Sequence, residues 1–130
     1  MRILVVDDDT RLTQLLQLVF ESRGFGVTIA YNGEQALESL ENELPEAILL
    51  DLMMPGMSGL EVCKHIRSNP RTSNIPVIVI TAKYDTQTRQ EMMDAGANEY
   101  LVKPFRPSEL IKITREAVTQ PPSSAVSVLT

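Results

Sequence analysis

A chain of 130 residues, 43% hydrophobic and 22% charged, has the make-up of one soluble globular domain, long enough to bury roughly two thirds of its unfolded surface. Its formal net charge of -5 is the wrong sign for an electrostatic nucleic-acid footprint, and its single cysteine, Cys63, excludes an internal disulfide and a cysteine-rich metal site. The apolar stretch after Met1 and Arg2 runs only four residues before three aspartates, too short for a signal peptide or a membrane span, so a reducing, cytoplasmic setting is expected.

Ile3–Val6 predicts a fully buried strand, after which Leu12, Leu15, Leu16, Val19 and Phe20 recur at helical spacing until Gly24 offers a stop. The unit repeats with a strand at Gly26–Ala30 and a helix striped by Ala36, Leu37, Leu40 and Leu44. It repeats again with Ala47–Leu50 and a helix carrying Leu60, Cys63 and Ile66. Asn32-Gly33 and Pro55-Gly56 supply turns. Ile75–Ile80 predicts a fourth strand, Asp85 caps a helix ending at Gly96, and Glu99–Val102 predicts a fifth strand before a helix over about 107–118.

Five alternating units imply a parallel sheet with right-handed crossovers and helices on both faces; the order of the strands is not contained in the pattern. Residues 1–119 are expected to form the domain. Residues 120–130, opening on Gln120-Pro121-Pro122-Ser123-Ser124, have too few apolar anchors for a packed element and are expected to be a flexible C-terminal tail or severed linker.

Four of the strands end in residues able to hold phosphate or a cation: Asp7 and Asp8, then Asp51, Thr81 and Lys103. In an open parallel sheet the carboxyl ends of neighbouring strands face one crevice, so these side chains are expected to meet. Asp51, held at a strand end and partly shielded, has the setting of a nucleophile. Asp7 and Asp8 beside it bring a repulsion of order several kcal/mol, which a hard divalent cation resolves. All-oxygen ligands, with His65 the only histidine, favour Mg2+, with Mn2+ as the substitute. Thr81 and Lys103 supply a hydroxyl and an ammonium for phosphoryl oxygens. Asp9 is expected to cap the first helix, His65 to lie on the surface and Cys63 to be a small core residue.

The segments LVVDDD (4–9), LLDLMMPGMSG (49–59), VIVITA (77–82) and YLVKPF (100–105) resemble the receiver (CheY-like) domain of two-component response regulators, over about residues 1–119. That resemblance implies a flavodoxin-like (βα)5 doubly wound fold, a five-stranded parallel sheet in the order 2-1-3-4-5, and a cis peptide between Lys103 and Pro104. It implies that Asp51 is the phosphoacceptor, that Asp8, Asp51 and the Met53 carbonyl bind Mg2+, and that Asp7 assists through water. Thr81, Lys103 and the Ala82 backbone would contact the phosphoryl group. Tyr100 would be an aromatic switch that turns inward as Thr81 moves, and Met53 and Lys83 would tune phosphoryl lifetime, bulky Met53 slowing hydrolysis.

The partners so implied are a sensor histidine kinase or histidine phosphotransfer protein as donor, and a downstream protein or output domain reached through the fourth helix, fifth strand and fifth helix. No direct contact with nucleic acid or membrane is expected. Receivers that pair through that face use salt bridges to which Arg89, Glu99, Glu109 and Arg115 could contribute; Ile113 stands where a basic residue is common, leaving a weak homodimer at most. The fourth helix has only Met92, Met93 and Ala95 as apolar anchors, so its register should be cheap to shift. The fifth has a broad arc of Leu110, Ile111, Ile113, Ala117 and Val118, which core packing explains unless one flank serves a partner.

The chain thus reads as a phosphoacceptor signalling domain that assists its own phosphorylation and dephosphorylation. The enzyme alternative is a phosphatase of the haloacid dehalogenase type, whose Asp-x-Asp is absent at Asp51-Leu52-Met53. A nucleotide or flavin module finds no phosphate-binding loop, and Gly24-Phe25-Gly26 lacks the third glycine and precedes a strand.

Overall fold

Strand and helix alternate five times along residues 1–119, the part of the chain that the computed structural model describes. The elements are β1 (Arg2–Val6), α1 (Thr10–Ser22), β2 (Gly26–Ala30), α2 (Gly33–Asn42), β3 (Ala47–Leu50), α3 (Gly59–Ser68), β4 (Val77–Thr81), α4 (Thr86–Asp94), β5 (Glu99–Val102) and α5 (Pro107–Thr119). The tail expected at 120–130 lies outside the described residues. All strands are parallel, in the order β2-β1-β3-β4-β5, the flavodoxin-like arrangement.

Alternation along each strand divides the core in two. Leu4 and Val6 of β1, with Ile48, Leu50, Val77 and Val79, face α2, α3 and α4 through Ala36, Leu40, Val62, Ile66 and Met92. Ile3 and Val5, with Ala47, Leu49, Ile78 and Ile80, face α1 and α5 through Leu16, Phe20, Leu110 and Ile111. Each fully buried aliphatic side chain contributes roughly 2 kcal/mol, so the central strands can be apolar throughout. Phe20 and Phe25 meet edge to face, centroids 5.0 Å apart, closing the lower end of the second layer.

The helix starts are chemically capped. Asp9 accepts from the Arg11 and Leu12 amides, Asn32 from Gln35, and Asp85 from Thr88, while Ser58 and Glu61 form a reciprocal capping box. Asn32-Gly33 is therefore a cap and first helical residue rather than a free turn.

Three expectations need correction. Leu15 is 46% exposed, because the inward line of α1 runs through Thr13, Leu16 and Phe20, with the buried Thr13 hydroxyl satisfied by the Thr10 carbonyl. Leu44 is 42% exposed and lies past the end of α2, where Glu43 is already extended. β4 begins at Val77 rather than Ile75: Pro76 has no amide for the ladder, and the Ile75 amide closes a turn onto the Thr72 carbonyl. The broad arc of α5 is core packing, since Ile113, Ala117 and Val118 lie against the same cluster as Leu110 and Ile111. No helix among the described residues is long and apolar enough to cross a membrane.

Candidate functional site

The sheet's hydrogen-bond ladder continues one residue beyond the strands and fixes the site's backbone. The Asp7 amide donates to the Ala30 carbonyl (3.1 Å), Asp51 to Val6 (2.9 Å) and Lys103 to Thr81 (2.8 Å). Asp7 is fully buried, Asp51 is 4% exposed, Thr81 is buried as the last residue of β4, and Asp8 is exposed at the rim. These residues, distant in sequence, meet at one sheet edge as their positions after apolar strands predict.

Carboxylate oxygens of Asp7, Asp8 and Asp51 all lie within 4.8 Å of one another. The Lys103 ammonium approaches from β5, 2.8 Å from Asp7 Oδ2 and 3.8 Å from Asp51 Oδ2. The Lys103-Pro104 peptide is cis. Asp7 Oδ1 accepts the Asp9 amide (2.9 Å), which orients it, and the Met53 amide leans on Asp51 Oδ1 (3.4 Å). Burial, and then the Asp7 charge, push the Asp51 carboxyl up from 3.8 to about 6, while Lys103 and the Met53 and Leu52 amides pull it down.

Three carboxylates against one ammonium leave two negative charges uncompensated at a site where Asp7 and Asp51 are buried and Asp8 faces solvent. At an effective dielectric near 20 each carboxylate pair repels by roughly 3 kcal/mol. An all-oxygen donor set of this charge, open on the Asp8 side, fits Mg2+ or Mn2+ and offers no soft ligand for zinc or copper.

Two glycines let the chain pack this closely. A Cβ on Gly59 would lie 2.7 Å from the Asp51 carbonyl oxygen and 2.8 Å from Leu52 Cα, so the start of α3 is seated on the backbone of Asp51 itself. Gly56, at φ +78°, turns the Met53–Ser58 loop past the Glu34 carboxylate.

Around Thr81, the hydroxyl oxygen accepts from the Lys83 amide (3.2 Å), and the Lys83 carbonyl accepts from the Tyr100 hydroxyl (2.7 Å). Tyr100 is half-buried against the α2–α4 layer, so it couples β5 to the β4–α4 loop. Ala82 and Lys83 are exposed beside Thr81, and Met53 is 60% exposed on the other side of Asp51. His65 is exposed on α3. Cys63 is buried, and burial pushes its thiol up, which keeps it unreactive. Arg115 lies over the Phe25 ring, 5.4 Å from its centroid, and donates to the Arg23 carbonyl, turned toward the α1–β2 loop.

Sequence reasoning passed over one feature. Leu15 and Leu18, 46% and 69% exposed, present apolar surface on α1. Leu15 lines a cavity of about 260 Å³ with Leu12, Phe105 and Pro107 that reaches Asp9 and Lys103. Leu15 belongs to the helical stripe and gave no signal; Leu18, which lies off that stripe, was the available one.

Residues 3–115 match the response regulator receiver domain family. The DNA-binding response regulator MtrA of Mycolicibacterium paratuberculosis is 41% identical over 114 residues, covering 88% of this chain and 49% of that protein. The response regulator MprA of Mycobacterium avium is 40% identical over 130 residues, covering 98% and 56%. The structure of a Francisella response regulator receiver domain aligns with a TM-score of 0.83 and 32% identity, over 90% of this chain and 95% of that one. The chain spans about half the length of the curated relatives it matches.

Proposed function

The chain belongs to the response regulator receiver domain family, and we propose that Asp51 is its phosphoacceptor. It is a receiver domain of two-component signal transduction, and nothing in its relatives supports the phosphatase alternative. The observation that carries the assignment is the burial of Asp51 against Asp7 with Lys103 spanning both. A carboxyl at about 6 is ionised at neutral pH, yet more basic than a free aspartate and hence a better nucleophile.

In the reaction an Asp51 oxygen forms a bond to phosphorus as the phosphorus–nitrogen bond of a donor phosphohistidine breaks, the electron pair leaving with the imidazole. Asp7, Asp8, Asp51 and the Met53 carbonyl would hold Mg2+, which supplies neutralisation of charge on the transferring group. Lys103 moves from the carboxylates to a phosphoryl oxygen, the buried Thr81 hydroxyl donates to another, and the Ala82 amide donates to a third. The Thr81 oxygen still accepts the Lys83 amide while its proton goes to the phosphoryl group, so movement of the hydroxyl toward that group would pull on a loop that Tyr100 also holds. A shift of α4, β5 and α5 then reaches a downstream protein or output domain. The site would assist both formation and loss of its own phosphoryl group by positioning and charge neutralisation. Incubation with acetyl phosphate and Mg2+ should add the mass of one phosphoryl group to the wild type and none to Asp51→Asn; a modified mutant refutes the acceptor.

The donor is a sensor histidine kinase or a histidine phosphotransfer protein, in the cytoplasm, and Leu15 at the cavity that reaches Lys103, with exposed Leu18 farther along α1, would offer it an apolar seat. Leu18→Asp is expected to slow transfer from a cognate donor about tenfold, as loss of a buried leucine contact implies, and to leave acetyl phosphate labelling unchanged. Equal slowing with both donors would place the defect in the pocket instead. The DNA contacts named for MtrA belong to a chain twice as long, and the negative charge of this one gives no reason to place them here. Arg115 leans over Phe25, while Arg89, Glu99 and Glu109 are exposed on the face through which a weak self-pairing would form.

Met53 and Lys83 stand two residues beyond Asp51 and Thr81, and the exposed Met53 side chain would screen the acceptor from water. Met53→Asn should shorten the phosphoryl lifetime about tenfold, a barrier change near 1.4 kcal/mol. Decay at or below the wild-type rate would remove Met53 from that role.

A further inference from the structure

α4 is attached by one end. Met92 is its buried side chain, Met93 and Ala95 pack partly, and the residues of its first turns are exposed or half-exposed. The segment leaving α4 is gripped by a side chain from another helix. Arg67, in the last turn of α3, donates from Nε and Nη2 to the Gly96 carbonyl (3.0 and 2.7 Å). Its Nη1 donates to the Ser73 and Ile75 carbonyls (3.2 and 2.7 Å), and Nη2 also to Asn98 Oδ1 (2.9 Å). Asn98 Oδ1 in turn accepts the Val77 amide at the start of β4 (2.8 Å).

Every one of these acceptors is a neutral oxygen. Burial lowers the guanidinium's pKa, so the arrangement is costly as electrostatics; what it supplies is geometry, a rigid planar fork joining α3, the α3–β4 loop, β4 and the end of α4. Gly96 is built to it. At φ +108° it has the left-handed conformation, and a Cβ there would lie 2.7 Å from Arg67 Cγ and Nε. At the opposite end of α4, Lys83 is held by the Thr81 and Tyr100 hydrogen bonds, next to Asp51.

We propose that Arg67 is the fixed pivot of α4: a pull on Lys83 swings the N-terminal turns while Gly96 stays in place, so that within the segment from β4 to β5 rearrangement is confined to residues 82–91. This rests on Asp51 as acceptor and α4 as the responding helix. The fork converts a local tug into a rotation; without it the same tug would loosen the α4–β5 connection and dissipate there.

Amide hydrogen exchange followed by NMR, on the full chain with and without Mg2+ and beryllofluoride as the phosphoryl mimic, tests the pivot. The reporting amides are Gly96, Ala97 and Asn98, bonded to the Met93, Met92 and Val77 carbonyls. In the wild type beryllofluoride should alter exchange across 82–91 and leave these three unchanged. In Arg67→Gln they should exchange about tenfold faster relative to core amides, with the beryllofluoride response spreading through them; Arg67→Lys, which keeps the charge and loses the fork, should do the same in lesser degree. Should Arg67→Gln not fold, Asn98→Ala removes a shared acceptor, and about threefold faster exchange at the same amides is expected. Wild-type exchange there in the folded variant, or a wild-type beryllofluoride response as large at 96–98 as at 82–91, overturns the pivot. Acetyl phosphate labelling of Arg67→Gln should be normal, so failure to label wild type counts against Asp51 as acceptor and is read separately.

Discussion

Asp51→Asn should unfold at a higher denaturant concentration than the wild type when both are free of metal, by about 2 kcal/mol at pH 8. Ionised Asp51 is a burden on the fold: its carboxyl rises to about 6 in the native pocket against 3.8 for a freely hydrated aspartate, a net difference of roughly 3 kcal/mol with the opposing pull of Lys103 already counted, part of which the burial of the asparagine amide in its place returns. The sign follows from proton binding. Between about pH 4 and 6 the native state holds a proton that the unfolded chain has released, so the wild type loses stability as pH rises through this window and no more above it. The asparagine variant lacks that titration. Its advantage should therefore be full above about pH 7, shrink below pH 6 and vanish near pH 4. Mg2+ should narrow the gap, since a ligand at ten times its dissociation constant adds about 1.4 kcal/mol to the state that binds it. A metal-free Asp51→Asn that is less stable than wild type at pH 8 would show that the pocket does not strain its acceptor.

Gly59→Ala should destabilise the domain by about 2–4 kcal/mol, in spite of alanine's better helix propensity. Gly59 does not have a positive φ, so backbone conformation is no obstacle. The obstacle is contact. The added methyl would meet the Asp51 carbonyl oxygen and Leu52 Cα, backbone atoms that can yield only if the end of β3 moves. Because that backbone carries Asp51, the proposed acceptor, acetyl phosphate labelling should slow as well. Gly24→Ala separates the two glycine effects: it sits at φ +90° with nothing near its Cβ, so it should cost about 1 kcal/mol and leave labelling unchanged. Equilibrium denaturation of both variants, with unchanged m values, is the measurement. A neutral or stabilised Gly59→Ala would mean that α3 is not seated on Asp51 as described.

Element type and number were legible in the chain because two local rules agreed. Apolar runs of four to six residues cannot satisfy helical amphipathicity yet suit strands buried on both faces, and capping residues such as Asp9 and Asp85 mark where the helices begin. The same punctuation exposed the site, since chemistry-bearing residues stand directly after apolar strands. Errors fell where a neighbour decides. Leu15 satisfies a helical stripe as well as Leu16 does, and only the seating of α1 on the sheet through Thr13, Leu16 and Phe20 leaves it facing outward. Pro76 ends the ladder that Ile75 would otherwise have joined.

Composition, periodicity and the residues after the strands determined by themselves that this is a five-unit α/β domain with Asp7, Asp8, Asp51, Thr81 and Lys103 at one sheet edge, because strand burial and helix capping are local requirements that a short stretch must meet alone. Only the tertiary structure decided that Lys103 bridges Asp7 and Asp51, that Tyr100 and Thr81 share Lys83, and that Arg67 holds Gly96. Those distances depend on how far α3 and β5 lie from β3 and α4, and that spacing is set by the close packing of side chains contributed from the whole length of the domain.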